Sequence, residues 1–147
     1  MKSTEASISQ RDHVMQALRA LEAGTLDPTK FPHAEHVRLG YEMVRRYPFG
    51  EAASRFSRGL KRVAGNAGKP QIYNETITIA FLAVINERRV AGTSKDWKQF
   101  ERANPDLLQK RCLEEWYDAE QLRSDLARTT FCLPRPRAAS STPKPLP

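Results

Sequence analysis

The sequence predicts an all-α fold: a single-domain helical bundle of four main helices, followed by short C-terminal helices. Three observations predict it. Apolar residues recur at spacings of three and four along every strongly periodic stretch, which is the period of a buried helix face. Gly and Pro signals cut the chain into helix-length pieces. The 147 residues match one ordinary domain, long enough to bury one substantial core.

The first helix is predicted over Asp12 to Glu22, where Val14, Ala17, Leu18 and Leu21 share a face and Gly24 is placed to stop it. Residues 1–10 read as a flexible N-terminus. Pro32 suits the first position of a second helix that runs to about Tyr47, because Pro48 disfavours continuation. A third helix, from about Gly50 to Ala64, buries Ala53, Phe56, Leu60 and Val63 and turns Arg55, Arg58, Lys61 and Arg62 to solvent. It ends in the turn of residues 65–70. The fourth, from about Tyr73 to Val90, is apolar on nearly every side across its middle and is predicted to be central. Its β-branched residues would suit a strand, but no second strand pattern exists to pair with it. Beyond Gly92 the expected helices are short. Ser94 is a candidate cap for one carrying Trp97 and Phe100, Pro105 restarts a helix through Trp116, and Asp118 with Gln121 resembles a capping box. The helical domain is thus read as residues 11–133, with 134–147 a disordered, basic, Pro/Ser-rich tail.

Composition narrows the class of protein. Hydrophobic residues at 39% and charged ones at 28% describe a globular chain with a well-solvated surface. The apolar run Ile77 to Ile85 is far short of the roughly 20 residues that cross a bilayer, so no membrane partner is expected. Met1 to Gln10 lacks the apolar centre of a secretory signal, and the expected location is the cytoplasm. The isolated cysteines, Cys112 and Cys132, form neither a disulfide framework nor a metal pair and read as free thiols. The net charge of +7 is uneven: eight basic and three acidic side chains in residues 32–70 leave +5 there, against −1 over residues 94–134. Such a field attracts anionic ligands.

One constellation is unusual for a simple bundle. On a wheel of the second helix, His33 and His36 lie about 60° apart on the face that carries Val37, Gly40 and Val44, while Glu35, Arg38, Glu42 and Arg45 lie opposite. Both histidines are therefore expected to point inward and to be neutral, near the positive end of the helix dipole. Gly40, on the same face, permits close helix approach or leaves room for something small. The start of the fourth helix supplies polar partners: Asn74 and Thr78 share a face, with Glu75 about 100° away. Buried polar groups need partners, and pairing between the two clusters is the expected solution.

These residues carry a resemblance. The segments "FPHAEHVRLG" and "YNETIT", with the later "NPDLL" and "LARTTFCLP", resemble a group of small bacterial proteins of uncharacterised function with the pattern FxHxxHVRLA…YHETxT. The likeness runs from about Leu21 to Pro134 and implies a shared pattern, with no established activity attached. Asn74 stands where that pattern has histidine, and Gly40 where it has alanine. A three-histidine metal site read from the pattern would lack its third ligand here.

The residues leave several functions open. In the first, His33, His36 and Glu75 are metal ligands and catalytic groups, suited to Zn or Fe, with Asn74 and Thr78 supporting them. In the second, the pocket takes a small molecule without metal: His33 or His36 acts as general base or hydrogen-bond donor, Glu75 and Thr78 orient the ligand, Asn74, Arg38 and Tyr41 are further ligand contacts, and an anionic ligand would also use Arg45 and the basic third helix. In the third, the His/Asn/Glu/Thr network only fixes helix packing. Backbone contacts from the basic second and third helices to nucleic acid are a further alternative, weakened by the lack of interleaved aromatics and of a recognition motif.

Overall fold

A computed structural model describes residues 2–136, with side chains described from Gln10 onward. The tail is described only as far as Pro136, and the disorder expected of residues 137–147 lies outside the described residues. The described chain is helical, with no strand, and runs α1 (Lys2–Ala23), α2 (His33–Arg46), α3 (Phe49–Asn66), α4 (Glu75–Ala91), α5 (Trp97–Ala103), α6 (Ala119–Leu122) and α7 (Asp125–Thr129). Short 3-10 turns connect several of these, among them Pro28–Lys30, Pro70–Ile72, Pro105–Leu108 and Lys110–Glu115. No described helix is long and apolar enough to cross a membrane.

The first four helices form the bundle. α1 packs chiefly on α3, α2 on α4, and α3 bridges α2 and α4. α1 starts at Lys2, so most of the segment expected to be flexible is helical, and it stops where the sequence places its stop: Gly24 has φ +75°. That left-handed conformation costs glycine little. The Gly24 carbonyl accepts a hydrogen bond from Asn66 Nδ2 at 3.0 Å, which ties the end of α1 to the end of α3. The same two helices touch closely at Gly59, where a Cβ would stand 2.9 Å from Leu21 Cγ and 3.0 Å from the Leu21 carbonyl oxygen. α2 meets α4 in the same way, since a Cβ on Gly40 would lie 3.1 Å from Ile85 Cδ1 and 3.3 Å from Leu82 Cδ1. Gly40 serves helix approach and leaves no ligand space.

α4 is central, as predicted: Ala80, Phe81, Leu82 and Ile85 are buried, and α2, α3 and α7 pack around it. Its N-cap is Asn74, whose Oδ1 accepts from Ile77 N. The C-terminal part departs from expectation in detail. Asp96 caps α5 in place of Ser94, and the helix expected after Pro105 is two 3-10 turns. Asp118 makes no side-chain cap bond. Gln121 instead holds the extended residues after α7, donating from Nε2 to the Leu133 carbonyl at 2.9 Å and accepting at Oε1 from Arg135 N at 3.2 Å. A capping-box pattern and a buried bracket use the same residue types, so sequence cannot separate them.

Candidate functional site

His33 and His36 open α2 and are partly buried, with their rings against apolar neighbours. The His33 ring meets Phe81 of α4 edge-on at 5.0 Å between centroids, and His36 lies 4.3 Å from Phe31. His33 Nε2 is 2.9 Å from the Leu107 carbonyl oxygen. A carbonyl only accepts, so Nε2 carries the proton and donates. Burial lowers the pKa of both rings, that of His36 to about 4, and the neighbouring His33 and Lys110 also disfavour charge on His36. Both imidazoles are neutral at pH 7, as the sequence predicts.

The expected partners at the start of α4 are engaged elsewhere. Asn74 caps α4 and donates from Nδ2 to the Leu122 carbonyl at 2.7 Å. Thr78 Oγ1 donates to the Asn74 carbonyl at 2.8 Å. Glu75 Oε1 accepts from the Tyr73 hydroxyl at 2.8 Å, and its Oε2 pairs with Lys61 Nζ of α3 at 3.2 Å. The Lys61 ammonium also lies 5.3 Å from the Tyr73 ring centre. Burial and the hydrogen bond from its hydroxyl to the Glu75 carboxylate raise the Tyr73 pKa well above its usual value.

The two polar clusters are therefore not joined through these hydrogen bonds, contrary to the sequence expectation. Glu75 faces α3 because Lys61 and Tyr73 offer it charge and a donor, while His33 faces Phe81 and the Leu107 turn and His36 faces Phe31. Among the described residues, no group of three or more His, Cys, Asp or Glu side chains is placed to hold a metal ion. The ligand set His33, His36 and Glu75, with Zn or Fe between them, is thus not assembled.

Sequence reasoning missed Thr76, which is fully buried and lies between Glu75 and Thr78, both of which it singled out. Its hydroxyl donates to the Thr130 carbonyl at 2.9 Å and accepts from Cys132 N at 3.0 Å. With the Tyr117 hydroxyl on the Cys132 carbonyl at 2.7 Å and the Gln121 bracket, it fastens the chain after α7 to α4. Both cysteines are free thiols; that of Cys112 sits beside Asp106 and is pushed up to about 11, chiefly by burial.

The remaining candidates, Arg38 and Tyr41, lie elsewhere. They line a cleft of about 800 Å³ whose walls are the Gln10, Arg11, Val14 and Met15 turn of α1, one face of α2, and the start of α5. From α2 come Arg38, Tyr41, Glu42, Arg45 and Arg46, and from the α5 start Lys95, Asp96, Trp97 and Lys98. The α2 face that the helical wheel turns away from the histidines is this cleft wall. That explains why Glu42 is only 8% exposed. Glu42 Oε2 accepts from both Arg45, at 3.0 Å, and Arg46, at 3.4 Å.

Arg38 is held differently. Its guanidinium carbon lies 5.5 Å from the Trp97 ring centre, and Trp97 packs in turn on Tyr41 and Phe100. Arg38 Nε is buried without a hydrogen-bond partner among the described residues, as is Arg89 Nε on α4. Burial and the neighbouring Glu42 carboxylate raise the Tyr41 pKa, with Arg45 and Arg89 opposing. The basic face of α3 is more fully matched. Arg55 pairs with Glu51 and Glu22, Lys61 with Glu75, and Arg62 donates to the Glu22 carbonyl. No protein-family model, curated protein or solved structure matches the chain.

Proposed function

We propose that the protein is a non-catalytic binder of a small anionic ligand, held in the cleft between α1, α2 and the start of α5, and that the histidine and Asn-Glu-Thr groups are structural. The observation that carries the reading is Arg38. Its guanidinium is seated on Trp97 at the cleft wall and has a buried donor with no partner. A buried donor left unpaired costs about 1–3 kcal/mol. That marks Arg38 as incompletely partnered, and an oxyanion that pairs with its guanidinium makes charge-assisted bonds, which are the strong ones. The ring stack fixes the side chain beforehand, so little rotamer freedom is lost on binding. The structural role of the other polar groups is supported by their partners, which are mostly backbone carbonyls and amides in neighbouring segments.

The test is titration of untagged protein with citrate and inorganic phosphate, followed by calorimetry and Trp fluorescence. Binding that weakens with added salt and disappears in Arg38→Met is the expected result. Equal response of the wild type and Arg38→Met, or no binding at millimolar anion, overturns the proposal.

A further inference from the structure

We infer that the cleft is built for a linear polyphosphate group and not for a single carboxylate or phosphate; this rests on the anion-binding reading above. Charge is the first argument. Among the described residues, six cationic side chains line the cleft against the carboxylates of Glu42 and Asp96, an excess of four positive charges. Both carboxylates are already committed. Asp96 accepts from Gln99 N at 2.9 Å as the α5 cap, and Glu42 holds Arg45 and Arg46. One incoming carboxylate would leave most of the field unsatisfied, whereas a triphosphate brings a charge of comparable size and opposite sign.

Shape is the second argument. Arg38 and Arg45 are two turns apart on one face of α2, about 10 Å along the axis at 1.5 Å per residue. Lys95 and Lys98 line the same cleft from the start of α5. Cations so spaced meet successive anionic groups along a chain, not one compact oxyanion. Among the described residues, the cleft offers no free aromatic face for a nucleobase. Tyr41 and Trp97 are only 3% and 9% exposed, and their rings pack against each other at a tilt of 58° with centroids 5.4 Å apart, with Arg38 lying against the Trp97 ring. Single-strand binding by stacking, which needs open rings, is disfavoured on that ground.

The experiment is calorimetric titration of the full chain at constant ionic strength with orthophosphate, tripolyphosphate and a ten-nucleotide single strand. Tripolyphosphate is expected to bind at least about tenfold more tightly than orthophosphate, the gain from one further charge-assisted contact. Arg45→Met and Lys98→Met, both at solvent-accessible positions, are expected to remove most of that advantage, weakening tripolyphosphate binding much more than orthophosphate binding. Arg38-dependent binding of both phosphates with equal affinity would overturn this inference and leave the anion-binding reading intact. Tighter binding of the oligonucleotide than of tripolyphosphate would overturn it in favour of nucleic acid. Failure of every probe removes both.

Discussion

Acidification should destabilise this protein through His36, and the size of the effect follows from its surroundings. The ring lies against Phe31, and burial, His33 and Lys110 hold its pKa near 4, against 6.5 for an exposed histidine. A base whose folded-state pKa is depressed binds its proton more readily when unfolded. Its contribution to stability is complete above about pH 6.5 and is lost as the pH falls towards 4. With these two values, linkage puts the loss between pH 7.5 and pH 4.5 at about 2.5 kcal/mol. His33, also lowered by burial, adds in the same direction. In urea denaturation, an m-value of about 1–3 kcal/mol/M turns that loss into a fall in midpoint of about 1 M or more. The same pair of titrations on His36→Leu isolates the ring, because the carboxylates titrate alike in both proteins. The variant should lose about 2.5 kcal/mol less than the wild type over this range. A wild type with equal midpoints at the two pH values, or a His36→Leu protein with the full wild-type loss, would refute the burial of a neutral ring at this position.

Further outcomes follow from the packing. Thr76→Val keeps the shape but strands the Thr130 carbonyl and the Cys132 amide; it should cost about 2 kcal/mol and raise hydrogen exchange over residues 130–135 selectively. Gly59→Ala drives a methyl into Leu21 and its carbonyl oxygen and should cost about 1–3 kcal/mol by thermal melting. Gly40→Ala meets only the far ends of Ile85 and Leu82, which can give by tenths of an ångström, so its midpoint should move clearly less than that of Gly59→Ala. Asn74→Ala removes both the cap of α4 and the bond to the Leu122 carbonyl; a loss of about 1–2 kcal/mol in urea is expected.

What the sequence determines here is local or periodic. The apolar spacing of Val14, Leu18 and Leu21, the stop at Gly24, the break at Pro48 and the greasy middle of α4 each depend on residues a few positions apart, so the four main helices, their order and these stops are legible. The neutrality of the two histidines belongs with these, since it follows from a helix start and an apolar face. Partnership across long separations is decided only in three dimensions. Glu75 turns to Lys61, His33 to the Leu107 carbonyl and Thr76 to the chain after α7, because each polar group takes whichever complementary atom the packed helices bring within about 3 Å. The same holds for the cleft. A wheel places Arg38, Glu42 and Arg45 on one side of α2, but only the docking of α1 and of Trp97 against that side turns a solvated stripe into a walled, positively charged recess.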